Sequence, residues 1–262
     1  MAPLATGRVC RGGPPPHRVP SDVYLLGSGI RGTLQVTRET EQALSVCARV
    51  YVLHADAAIL DYASKFCGGV RDVAHLYEGQ VVRREVYEAI ADLLVGDVRS
   101  GTRPVGFLVH GHPLFLVSAA EYTLEQARAA GLQAVALPAV SSFDTILCDL
   151  EIDYGYALQM FDSTTLLELQ APLNPRVPLL IFQLATTLNP SVVRVDPGAQ
   201  LLEPLAAFLR GTYPATHPCQ IVYSSAQVFE SSELLTIRLE ELPTSSLVEL
   251  WRRPTLYVPP IG

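Results

Sequence analysis

Short apolar runs alternating with amphipathic stretches constrain this chain more than any other feature. Val23-Tyr-Leu-Leu26 reads as a buried strand, and Val50-Tyr-Val-Leu53, Val105-Gly-Phe-Leu-Val109 and Ala134-Val-Ala-Leu137 read as further strands. Between them the pattern predicts helices at about 33–49, 57–66, 84–99 and 119–130. The third is the clearest. Val86, Ile90, Leu93, Leu94 and Val98 line one face, and Gly101 follows as a stop. Strand and helix alternating at this spacing predict a mostly parallel sheet with helices on its faces. From about Tyr156 proline, threonine and serine become frequent, and 178–185 and 220–225 read as further strands. The expected fold is α/β in two halves, 21–155 and 156–262, meeting at a cleft where a ligand binds. The proline- and glycine-rich stretch 1–20 reads as a flexible leader and has no apolar run of a secretory signal.

Composition narrows the function classes. Hydrophobic residues make up 49% of the 262 and charged residues 17%, enough for a sizeable core. The net charge of −7 has the wrong sign for bulk attraction to nucleic acid or an anionic membrane. The most apolar stretch, 104–120, is interrupted by His110, His112 and Pro113, so it reads as strand plus loop and not as a membrane span. The five cysteines are odd in number and contain no C-x-x-C, which predicts reduced, buried thiols in a cytoplasmic protein. Lys65 is the only lysine, so neither a P-loop nor a Schiff-base lysine is readily supplied.

Gly27-Ser-Gly29-Ile-Arg-Gly32 follows the first strand and matches G-x-G-x-x-G, with Asp56 about where a ribose-binding carboxylate falls. The alternative is a tight strand-to-loop turn that needs glycine torsions. Two later strand ends decide between them. Phe107-Leu-Val-His-Gly-His-Pro113 and Leu137-Pro-Ala-Val-Ser-Ser142 place small and polar residues where open α/β sheets bind ligands.

With these loops the chain resembles the tetrapyrrole methylase superfamily, the class III S-adenosylmethionine methyltransferases. Within it the chain looks most like the methyltransferase domain of the borosins, which N-methylate peptide backbones. The resemblance runs from Val23 to Pro260. Its carriers are Leu76-Tyr77, Arg83 and Tyr87, Val98-Arg-Ser-Gly101, Gly111-His-Pro113, Ala127-Arg128 with Gly131, and Leu137-Pro with Val140-Ser141. Asp149-Leu-Glu-Ile-Asp153, Gln183 and Thr255-Leu-Tyr-Val-Pro-Pro260 complete the series. The resemblance implies a two-domain fold with S-adenosylmethionine held between the halves, so the nicotinamide reading loses first place. It implies cofactor contacts at His112, Pro113, Phe115, Ser141, Ser142, Gln183, Ser225, Pro254 and Thr255. It also implies a homodimer, and a catalytic pair at Arg83 and Tyr87 with Tyr77 near the acceptor amide.

The chemistry suits those residue types. A peptide nitrogen is a poor nucleophile because its lone pair is delocalised into the carbonyl. An arginine offers a permanently charged fork for a developing oxyanion, and a tyrosine whose pKa that arginine lowers offers a base. Arg83 and Tyr87, four apart near a helix start, share one face. Arg84 is the less preferred neighbour. By itself the spacing reads as an ordinary helix-surface pair.

Three departures from the borosin pattern bear on the site. His110 stands where a tyrosine is usual, so it is a candidate hydrogen-bonding or basic group. Leu114 and Ala139 replace glycines. The chain as given ends at Gly262 without the fused peptide, so a precursor peptide is expected as a separate molecule. Alternatives are a tetrapyrrole or other small-molecule acceptor, and a non-catalytic S-adenosylmethionine-binding partner. Asp149, Glu151 and Asp153 would share a face if extended, and a solvated or intersubunit face is preferred to a metal site. The remaining histidines, His54 among them, show no ligand spacing.

Overall fold

The structure is a computed structural model that describes residues 21–54, 56–79, 82–153, 155–193, 195–227 and 230–262. The expected leader at 1–20 lies outside them. The first half runs β1 (Val23–Gly27), α1 (Arg38–Val46), β2 (Arg49–Leu53), α2 (Ala57–Ser64), β3 (Val70–Asp72), α3 (Arg83–Arg99), β4 (Val105–Val109), α4 (Ser118–Ala129), β5 (Ala134–Ala136) and α5 (Ser142–Leu150). Its strands form one sheet in the order β3-β2-β4-β1-β5, and every pairing is parallel. Alternate residues feed two layers. Val23, Leu25, Tyr51, Val105 and Phe107 pack with the apolar face of α3 and α4. Leu26, Val50, Val52 and Leu108 pack with α1 and α2 on the other face. A parallel sheet covered on both faces needs the continuous apolar strands seen in the sequence.

The second half runs β6 (Gln159–Asp162), α6 (Ser163–Leu169), β7 (Leu179–Phe182), α7 (Glu203–Arg210), β8 (Pro218–Tyr223), β9 (Glu233–Arg238) and β10 (Thr255–Val258). Its sheet has the order β6-β7-β10-β8-β9, and only β6 and β7 are parallel. The period of two again sorts the side chains. Leu179, Ile181, Ile221, Leu256 and Val258 join the core beneath α6 and α7. Leu180, Phe182, Val222 and Tyr257 face the other way and meet Phe115, Phe143 and Ile146 of the first half.

Two sequence expectations need correction. The single helix expected at 33–49 is a 3-10 turn at Gly32–Gln35 followed by α1. Thr37 causes the restart, because its side chain accepts a hydrogen bond from the Thr40 backbone as an N-cap. Asp149, Glu151 and Asp153 do not share an extended face. Asp149 lies in α5, and Glu151 is its left-handed C-cap. The Asp149 carboxylate accepts from the hydroxyls of Ser224 and Ser232, and so fastens α5 to the loop after β8.

Candidate active site

The carboxyl ends of β1, β2 and β4 converge on one edge of the parallel sheet, the usual ligand edge of such sheets. At this edge Gly27 explains the glycine motif. A Cβ there would lie 2.1 Å from the Gly111 carbonyl oxygen and 2.5 Å from the Ala139 Cβ. Gly29 then bridges Gly111. The glycines therefore let three loops close on one another. They do not form a phosphate cradle. The backbone N–H groups of Ile30 and Arg31 are taken by the Gln35 side chain at 2.8 and 2.9 Å. The Asp56 carboxylate is likewise occupied, capping α2 through the Ala58 N–H. Both anchors of a dinucleotide site are spent on local structure.

Arg83 opens α3, and its guanidinium donates to the carbonyls of Asn189 and Pro190. Its backbone N–H also donates to Pro190 at 3.0 Å. These bonds tie the first turn of α3 to the segment after β7. They use Nε and one terminal nitrogen, leaving the other for a further acceptor. Arg84 is exposed and pairs with Glu88 at 2.8 Å instead.

One turn on from Arg83, the Tyr87 ring lies 6.5 Å from Tyr77 and 5.9 Å from Tyr122, centroid to centroid. Burial raises the Tyr87 pKa, and the Arg83 charge opposes that rise. Burial also dominates at Tyr77, which is raised further, against Arg83 and Arg253. The expectation that arginine lowers the tyrosine pKa below its ordinary value therefore does not hold here. Desolvation of the phenolate outweighs one guanidinium.

His110 follows β4 directly. Its Nδ1 lies 2.9 Å from Nε2 of His54, which follows β2. Its pKa is pushed down to about 4 by the protein packed around the ring, then by His54 and Arg253, although the residue as a whole is exposed. A neutral imidazole at pH 7 is the consequence.

The residues expected to hold the cofactor fall into two sets. Phe115 packs edge-on to Phe182 at 5.2 Å and near Phe143 at 6.4 Å, in the apolar layer between the sheets. Gln183 follows Phe182 in a left-handed conformation with φ 61°. Its side chain is exposed and makes no hydrogen bond among the described residues. Thr255 is buried at the start of β10, two residues before Tyr257 on the same face. Aromatic rings beside free amide and hydroxyl groups fit the flat and polar parts of a nucleoside. The second set is committed locally. Ser141 forms a capping box with Asp144. Ser225 closes a turn with Gln227 at 3.0 Å. The His112 Nδ1 accepts from the Leu114 N–H at 3.0 Å, beside buried Pro113. Ser142 is the first residue of α5, and Pro254 is buried just before β10.

Two residues were not singled out from the sequence. His54 meets His110 because β2 and β4 run in register, Leu53 beside Val109. Only the strand order carries that signal. Arg253 acts on both Tyr77 and His110 from a left-handed position, φ 54°. Left-handed non-glycine residues also occur at Leu116 and Gln183, flanking the same region. Such strain is commonly retained at functional sites. Among the described residues no group of three histidine, cysteine or acidic side chains is placed to hold a metal.

Comparison with known proteins bears on the fold and the family. A 242-residue alignment gives 27% identity to a methyltransferase/ribosomally synthesized type II borosin cyclic peptide precursor from Phlebiopsis gigantea, covering 90% of this chain and 42% of that protein. A type I borosin precursor from Mycena rosella is 27% identical over 250 residues, covering 92% and 60%. The chain thus spans about half the length of these relatives. Uroporphyrin-III-C-methyltransferase from Thermus thermophilus superposes with a TM-score of 0.60 at 20% identity, covering 91% of this chain and 92% of that one. A structure of that enzyme with S-adenosyl homocysteine gives 0.57 at 17% identity, covering 90% and 91%. The family model of tetrapyrrole (corrin/porphyrin) methylases matches residues 22–240, and the chain belongs to that family.

Proposed function

We propose that this methylase transfers a methyl group from S-adenosylmethionine to backbone amide nitrogens of a ribosomally made peptide. The observation that carries this reading is the cluster of Arg83, Tyr87 and Tyr77 at the start of α3. The borosin precursors among its relatives support it. Phe115, Gln183 and Thr255 hold the donor, which when bound supplies an electrophilic methyl group and is left as S-adenosylhomocysteine. The free terminal nitrogen of Arg83 faces the amide oxygen as its charge develops, and the Tyr87 Oη takes the amide proton. Tyr77 packs beside Tyr87 and keeps water from the reacting nitrogen. A preorganised donor of this kind is worth ~10²–10³ in turnover.

The proposal includes a homodimer in the cytoplasm and a division into domains 21–155 and 156–262. The connection between α5 and β6 supports that division. The free state of Cys47, Cys67, Cys148 and Cys219 supports a reducing setting. No described helix is long and apolar enough to cross a membrane.

The test is donor turnover, read as S-adenosylhomocysteine released, with peptides encoded beside the gene and with a carboxylate-bearing tetrapyrrole. Peptide-dependent release is expected. Release with the macrocycle alone would move the acceptor to a tetrapyrrole. Tight S-adenosylhomocysteine binding with no release from either would leave a small-molecule acceptor or a non-catalytic binder.

A further inference from the structure

The contact between His54 and His110 has a direction. The Asp56 backbone N–H donates to Nδ1 of His54 at 2.9 Å. That nitrogen accepts, so it carries no proton, and the His54 imidazole holds its proton on Nε2. Nε2–H of His54 in turn lies 2.9 Å from Nδ1 of His110. Nδ1 of His110 must then be the acceptor, which places the His110 proton on Nε2. The chain Asp56, His54, His110 is thus one-way and ends on an N–H with no partner among the described residues.

We propose that His54 is a positioning residue that holds His110 in its Nε2–H tautomer, so that His110 donates a hydrogen bond to a carbonyl oxygen of the methyl acceptor and does not serve as a base. Naming the oxygen as a peptide carbonyl rests on the function proposed above. The tautomer assignment rests on the hydrogen bonds alone.

The charges around the pair agree. Arg253 faces His110 from the turn before β10, His54 faces it from the end of β2, and Asp56 faces His54. A proton added to Nδ1 of His110 would oppose the N–H of His54 and stand near the Arg253 guanidinium. His110 therefore stays neutral through the range in which an ordinary histidine titrates, near 6.5. So low a basicity suits a poor base and a serviceable donor, and a neutral imidazole is able to polarise a carbonyl.

The test is nitrogen-15 histidine NMR of the full chain between about pH 4 and 8, spanning the ordinary histidine range. His110→Gln assigns the resonances. The wild type is expected to show His110 protonated on Nε2, with its midpoint well below the ordinary value. His54→Ala is expected to mix the tautomers and move the midpoint up. His54→Gln, whose amide donates in place of the imidazole N–H, is expected to restore the wild-type pattern. Protonation of His110 on Nδ1, a wild-type midpoint near 6.5, or no change in His54→Ala would overturn the assignment.

Turnover with a peptide that gains methyl groups then reads the donor role. His110→Gln keeps an N–H and is expected to stay within about tenfold of wild type. His110→Phe is expected to lose on the order of 10²-fold in kcat. Equal rates for the two variants would overturn the donor role. If no peptide gains a methyl group, the peptide reading fails while the spectra still decide the tautomer.

Discussion

Arg83 donates from its guanidinium to the backbone carbonyl of Asn189, so the residue proposed to meet the acceptor also joins α3 to the second half of the chain. Lysine at this position keeps the charge and loses the planar fork. Arg83→Lys is expected to lower turnover ~10²-fold. By calorimetry, affinity for S-adenosylhomocysteine is expected to change little. The exposed Arg84–Glu88 pair lies on the solvent side of α3 and supplies the control, so Arg84→Ala should leave turnover unchanged. Wild-type turnover in Arg83→Lys would remove Arg83 from the chemistry.

The tyrosines set the expected pH dependence. Burial holds Tyr87 and Tyr77 above the ordinary value of ~10, so both are neutral at pH 7. If the Tyr87 phenolate accepts the amide proton, turnover rises about tenfold per pH unit from ~7 to ~9. Tyr87→Phe flattens that limb. A flat wild-type profile with an unimpaired Tyr87→Phe would assign the proton elsewhere.

The same shifts act on stability. A group whose pKa is raised by folding stabilises the fold fully below its unfolded value, here near 10, and that contribution is lost as pH rises through the folded value. Denaturant midpoints are therefore expected to fall above about pH 10. Tyr77→Phe should blunt the fall relative to wild type. An identical fall in the variant would show that other groups carry it.

Much of this fold follows from the apolar pattern. The runs at β1, β2 and β4 are continuous because both faces of those strands are covered, and α3 shows a helical period, although Leu93, read onto its buried face, is exposed and Val95 is buried instead. What the pattern misses is short or half exposed. β3 has three residues, with Arg71 and Asp72 exposed, so no apolar run announces it. α6 is seven residues and follows its strand without a break. At the site, the i, i+4 spacing of Arg83 and Tyr87 reads by itself as an ordinary helix-surface pair, and only the resemblance to the borosin methyltransferases singles them out. His54 and Arg253 are not legible, because only the pairing of β2 with β4, and the approach of the second half, bring them to His110 and Tyr77.

Gly27 gives a packing test. An alanine methyl there would overlap the Gly111 carbonyl and the Ala139 side chain, and backbone cannot yield as a flexible side chain does. Gly27→Ala is expected to cost about 1–3 kcal/mol in chemical denaturation. It should also weaken S-adenosylhomocysteine binding, because the 111–115 loop must shift. A loss below about 0.5 kcal/mol would show that the loops close less tightly than this contact requires.

The thiols separate by burial. Cys47 is pushed up to about 12 by desolvation and then by Cys67, and Cys219 to about 12 by desolvation and then by Glu241. Cys148 is exposed on α5, which corrects the expectation that the thiols are buried. Iodoacetamide at neutral pH is expected to label Cys148 and spare Cys47, Cys67 and Cys219 until the chain is unfolded. Native labelling of Cys47, read by peptide mapping, would contradict the closed packing between α1 and β2.

Tandem mass spectrometry of a gene-neighbouring peptide co-expressed with the chain addresses the proposed activity most directly. The expected result is a ladder of single-methyl increments that fragmentation places on backbone nitrogen, absent with Arg83→Lys. Methyl groups on side chains, or an unmodified peptide beside a protein that binds S-adenosylhomocysteine, would contradict backbone N-methylation.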